Sequence, residues 1–310
     1  MTVIAQSDSP ALVTLPLTVE AAILRTVIYA DVFDYALTLP ELHRYLIGEC
    51  ATCADLQVLL ESSRWLTERI RQVNGYYILT GREELVETRL RRARQAERLW
   101  KTARTYARWL ALLPFVRCVA VTGALAMNNV EADADVDYLI VTVPGRVWLA
   151  RAFSIVLVRW ARFYNEQLCP NYLLATTALQ QDRRDLFVAH ELAQMVPLAG
   201  GDVYWQMRTA NGWAADFLPN AVTAPRSEPD LTPTALGRFI QRLAELFLGG
   251  RLGHTLEAWE RIRKTARFQP QLDQSGSAAR FDGERVQGHF NDYGHKALKS
   301  YEERCKRLGV

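Results

Sequence analysis

Apolar residues recur every three to four positions over residues 18–33 (TVEAAILRTVIYADVF), the pattern of a helix buried along one side, with Thr18 placed to cap its start. Shorter helical patterns follow at about 39–47 and 52–63. Over 65–80 the pattern becomes that of a hairpin, with Asn74-Gly75 between the runs WLTERIRQ and YYILT. Residues 82–112 contain neither Gly nor Pro and are rich in strong helix formers, which predicts one long connecting helix ending before Pro114. Strands are predicted at Phe115–Thr122, Asp135–Val143 and Leu168–Ala175, with a short helix after Gly123. The stretch 147–163 is apolar on nearly every face and predicts a helix buried in the core. Beyond Asp182 the chain reads as helices over 184–195, 201–210, 232–248, 252–267 and 291–307. The Gly-, Ser-, Gln- and Pro-rich stretch 268–285 reads as a mobile loop.

These elements predict an α+β protein in four parts: a module over 1–80, a connector helix over 81–112, an α/β core over 113–182 and a helical region over 183–310. Three helices followed by a hairpin is the order of a winged helix, a module that often binds DNA. Charge argues against that use here. Residues 1–80 hold five arginines, no lysine and nine carboxylates, a net charge of −4, and the third helix carries Asp55 and Glu61 with no base before Arg64. Duplex binding depends on neutralising phosphates with Lys and Arg, so docking to protein is the expected role. The remaining residues carry +7, and the arginines of the connector alternate with Glu83, Glu84, Glu87 and Glu97, as on a solvated face.

Composition adds limits. Hydrophobic residues make up 49% and charged residues 23% of 310, values of a folded chain long enough for about two domains. The longest uncharged run, Gln167–Gln181, is 15 residues and contains Pro170 and Asn171, whereas a spanning helix needs about 20 apolar residues. No membrane partner is expected. The first residues lack a basic region ahead of an apolar run, and five cysteines do not form a disulfide framework, so the expected location is cytoplasmic.

The candidate chemistry lies between Val119 and Thr142. A strand ends at Thr122, Gly123-Ala124 opens a helix, and Asp135-Val136-Asp137 opens the next strand. Side chains at i and i+2 of a strand share a face, so the two carboxylates converge, and a shared hard cation relieves their repulsion. Asp133 has the same parity, while Val136, Tyr138 and Ile140 face the core. This segment resembles the nucleotidyltransferase superfamily with the polymerase-beta type fold, over about residues 113–182, on Gly123, Asp135 and Asp137. The resemblance implies that Asp135 and Asp137 hold Mg²⁺ or Mn²⁺, and that Gly123 and Ala124 hold the phosphates of a nucleoside triphosphate. The implied reaction moves a nucleoside monophosphate to the hydroxyl of an acceptor, which is a small molecule, protein or RNA. The sequence departs from the family in two places. Ala124 stands where the family has serine, and the third strand offers Asn171 rather than a third acid, with Glu166 and Asp182 as the nearest substitutes. The alternative is a nucleotide-binding or scaffold protein that keeps the fold without the chemistry.

Other constellations carry less. Cys50-Ala-Thr-Cys53 is two ligands where structural zinc takes four. His190-Glu191-Leu-Ala-Gln194 lacks the second histidine of a zinc-protease motif, and His190 and Glu191 are instead candidates to line the cleft facing the aspartates. His289, Asp292 and His295 cluster near the last helix, where capping and surface roles suffice.

Overall fold

The structure, a computed structural model, describes residues 18–272, 280–287 and 293–310. It is a mixed α and β protein, with two sheets among the described residues. The first part of the chain forms α1 (Val19–Asp31), β1 (Leu37–Thr38), α2 (Leu39–Arg44), α3 (Cys53–Ser62), the single turn α4 (Arg64–Thr67), β2 (Ile70–Val73) and β3 (Tyr76–Leu79). Local chemistry sets these boundaries. Thr18 caps α1 by accepting from the Ala21 amide at 3.3 Å, and Thr38 with Glu41 and Thr52 with Asp55 form reciprocal capping boxes on α2 and α3. The turn at Asn74 and Gly75 has positive φ at both residues, as a tight hairpin requires. Two expectations are corrected here. Trp65–Thr67 is helical rather than extended, because the Ser63 hydroxyl caps the Leu66 amide, and β1 adds a third strand in the order β1-β3-β2.

The connector α5 (Glu84–Leu112) leads to β4 (Val116–Val121), α6 (Gly123–Ala126), β5 (Val136–Thr142), α7 (Val147–Arg162) and β6 (Leu168–Ala175). There follow α8 (Leu186–Gln194), β7 (Val196–Ala199), α9 (Gly201–Ala210), α10 (Ala214–Phe217), α11 (Ala235–Gly249), α12 (Arg251–Leu272), β8 (Arg280–Phe281), β9 (Arg285–Gln287) and α13 (Tyr293–Leu308). The larger sheet has the order β7-β4-β5-β6-β9-β8. Among the described residues only β5 and β6 pair in parallel, joined by the crossover helix α7. Three strands of this sheet escaped the sequence reading: β7, which continues directly from α8, and the β8–β9 hairpin, which lies in the stretch read as a loop. Of that stretch, residues 273–279 lie outside the described residues, as do His289 and Asp292.

Alternation along the strands divides the core. Val119 and Val121 of β4 with Val136, Tyr138 and Ile140 of β5 pack under α5 and α7. Cys118, Ala120, Leu139 and Val141 face the other way, toward α8, α9, α10 and the N-terminal residues Tyr29 and Tyr45. Asp137 shares the parity of Leu139, so its carboxylate belongs to this second face. The helix α7 is only half buried: Trp148 and Val158 are in the core, but Val156, Trp160 and Phe163 at its C-terminal end are exposed. Its apolar sequence therefore overstated its burial.

Candidate functional site

The site begins at the end of β4. The Thr122 amide donates to the Asp137 carbonyl at 3.1 Å, and the chain turns at Gly123 with φ +64°. A side chain at this position is excluded twice: the left-handed conformation disfavours one, and a Cβ would lie 2.7 Å from Asp137 Oδ2. The turn and the carboxylate are thus in van der Waals contact. The parallel register of β5 and β6 sets Cys169 beside Asp137, and ligand atoms of Asp135, Asp137 and Cys169 all lie within 4.8 Å of one another. Asn171 Nδ2 donates to Asp137 Oδ1 at 2.6 Å, and Cys169 Sγ contacts Asn171 Oδ1 at 2.6 Å. Cys169 escaped the sequence reading, which placed it in a core strand; the signal that finds it is the pairing of two parallel strands, not a motif within either.

The electrostatics are one-sided. Burial, then Asp135, then Glu191 push the Asp137 carboxyl up to about 7, against the lowering effect of the Asn171 amide. Glu191 on α8 is itself pushed up to about 7 by burial, and Gln194 donates a short hydrogen bond to it. Burial and the two aspartates raise the Cys169 thiol to about 12, so it is not a thiolate at neutral pH. Neither aspartate has an ion-pair partner among the described residues, and no cation contributes to the electrostatics of Asp137. Two converging carboxylates without a compensating cation are the donor set that a hard divalent ion such as Mg²⁺ or Mn²⁺ fits.

Asp137, Gly123, Ala124 and Glu191 line a cleft of about 940 Å³. Its walls include Tyr29 and Phe33 from the α1 region, Tyr45 after α2, Phe187 on α8 and Tyr293 on α13. The N-terminal module is therefore one side of the cleft, a placement that the sequence reading did not anticipate. Arg280 and Arg285 of the β8–β9 hairpin also line it, both paired with Asp182.

The remaining candidates separate. Glu166 accepts from Thr102 on α5 at 3.2 Å and Asp182 is held by arginines, so neither stands beside the aspartates as a third acid. Asp133 is exposed. His190 lines the cleft as expected but is committed to packing. Its ring stacks on Tyr29 at 3.9 Å between centroids, its Nδ1 lies 2.9 Å from the Leu186 carbonyl, and burial pushes it down to about 4, so it stays neutral. Cys50 is exposed and donates to Asn220, and neither it nor Cys53 belongs to a metal-competent cluster among the described residues. His295 is exposed on α13. Compared with family models, curated proteins and solved structures, the chain matches none.

Proposed function

We propose that this protein is a metal-dependent nucleotidyltransferase that moves a nucleoside monophosphate from a nucleoside triphosphate to an acceptor hydroxyl. One observation carries the reading: Asp135 and Asp137 converge, Asp137 lies against the Gly123 turn and lines the cleft, and neither carboxylate has an ion-pair partner among the described residues. Packing gives no reason to bury an uncompensated carboxylate, which is costly unless something binds it. Asp135 and Asp137 would hold Mg²⁺ or Mn²⁺, which supplies charge neutralisation at the transferred phosphoryl group and lowers the pKa of the attacking hydroxyl. Gly123 permits the close approach of backbone to ligand that a side chain would block. Glu191, half-buried and pushed toward neutrality, is placed to take a proton at its carboxylate from an acceptor in the same cleft.

The N-terminal order of helix, strand, three helices and two strands supports a winged-helix-like module, and its role in this reading is to wall the cleft rather than to bind DNA. A second reading has a specific observation in its favour. Asn171, a neutral amide, stands on the third strand where the family resemblance implies an acid, and it already satisfies one oxygen of Asp137. A nucleotide-binding protein without turnover would have this arrangement. Calorimetry with each nucleoside triphosphate and Mg²⁺, beside a pyrophosphate-release screen over acceptor hydroxyls, separates the two. Binding with release supports the transferase, binding without release supports the scaffold, and no Mg²⁺-dependent binding refutes both.

A further inference from the structure

Helices α11 and α12 are built inside out. On α11, Gln241 Nε2 donates to the Leu113 carbonyl at 2.8 Å and the Ala111 carbonyl at 3.2 Å. Glu245 accepts from the Phe115 amide at 2.7 Å and pairs with Arg117 at 2.8 Å. The polar side of the helix thus faces the protein. Leu236, Phe239, Ile240, Leu243, Leu246 and Phe247, spaced three and four apart, form a stripe on the opposite side, each more than half exposed. The helix α12 repeats the pattern. Glu257 is buried and accepts from the Trp148 and Leu149 amides at 2.9 and 2.7 Å, Glu260 is buried against Arg263, and Leu252, Trp259 and Ile262 face outward. A water-facing helix normally shows the reverse, and contiguous apolar surface of this extent marks an interaction site.

Charge indicates what covers it. The helices α7, α11 and α12, which pack in sequence against one another, carry ten basic residues and three acidic ones. All three acids are turned inward, to Arg117, to the α7 amides and to Arg263. Arg238, Arg242, Arg251, Arg261 and Arg267 are exposed on the same two helices as the stripe. A second copy of the chain would bring like charges together. An anionic lipid surface would accept both the aromatic and aliphatic stripe and the guanidinium groups around it. No helix is long and apolar enough to cross a membrane among the described residues, and lying on one requires none.

We infer that the outward face of the α11–α12 hairpin docks the protein on the surface of an anionic lipid bilayer. The α7 and α5 helices that carry the hairpin cover the sheet face opposite Asp137, so docking leaves the cleft open. This inference does not depend on what the cleft binds. The test is co-sedimentation of the full chain with vesicles of phosphatidylcholine alone and with roughly a third phosphatidylglycerol, at ~0.15 M salt. The expected result is capture by the anionic vesicles only. Leu243→Asp with Phe247→Asp should abolish it, and Arg238→Ala with Arg242→Ala should weaken it about tenfold. All four side chains are exposed, so both variants should keep the wild-type melting temperature. No capture by anionic vesicles, or capture unchanged in both variants, overturns the proposal. So does a dimer, seen by light scattering, that the Asp substitutions convert to monomer, since that assigns the face to a second copy.

Discussion

Replacing Asp137 with Asn removes one negative charge from the cluster and leaves its volume and its acceptor for Asn171 in place. Because the Asp137 carboxyl is held up at about 7, above the usual carboxylate value near 4, the native state binds more protons than the unfolded chain between those pH values. Wild-type stability should therefore fall, through this group, as pH rises from about 4 to 7. Raising one carboxyl over that interval corresponds to about 4 kcal/mol. Asp137→Asn should match wild type below about pH 4, where the carboxyl is neutral in both folded and unfolded chains, and exceed it by up to this amount at pH 8 in chelator. For a chain of this length that is about 6 °C in melting temperature. Groups not coupled to Asp137, His190 among them, are common to both proteins and cancel in the difference. Adding Mg²⁺ at pH 8 should stabilise wild type and leave the variant unmoved, since only a ligand of the native state shifts the balance. Calorimetric melts at the two pH values, with and without Mg²⁺, test this. A variant less stable than wild type at pH 8, or one gaining equally from Mg²⁺, would refute the account of the site.

Three further outcomes are expected. Gly123→Ala forces a Cβ against Asp137 Oδ2 in a left-handed turn, and should lower Mg²⁺-nucleotide affinity more than about tenfold while costing roughly 1–2 kcal/mol of stability, measured by calorimetry and denaturant titration. Metal affinity should rise between pH 6 and 8 with release of up to one proton, read from titrations in buffers of different ionisation heat; pH-independent binding would exclude Asp137 as a ligand. Alkylation at pH 8 followed by peptide mapping should modify the exposed Cys50 and spare Cys118 and Cys169, whose thiols are both pushed up to about 12 by burial.

Local signals in the sequence were faithful where the structure is local. The capping residue Thr18, the Asn74-Gly75 turn, the uninterrupted α5 and the D-x-D at the start of β5 all appear where their chemistry places them. The third core strand, Leu168–Ala175, was read to the residue. What failed was what depends on distant partners. The two-residue β1 exists only because Leu37 and Thr38 find Tyr77 and Tyr76, and β9 only because it adds to the edge of β6. Cys169 joined the aspartates through strand register, which has no one-dimensional signature, whereas Glu191 lines the cleft as the sequence reading had it. The exposed end of α7 failed for a different reason: periodicity reports apolarity on every side but not whether a neighbour covers each side.

The two ends of the described chain meet beside the cleft. Arg304 of α13 pairs with Asp31 of α1, Tyr301 packs edge-on against Tyr29 at 5.5 Å, and Cys305 is buried in the core of the N-terminal module. The consequence is one of timing. A ribosome adds about 5–20 residues per second, so the carboxylate cluster is complete on the order of ten seconds before α13 is made. During that interval α1 presents Ile23, Val27 and Tyr29 without their last partner, and the cleft lacks the wall that Tyr293 supplies. The nascent chain therefore carries its carboxylates well before the side of the cleft that Tyr293 and Gly294 supply.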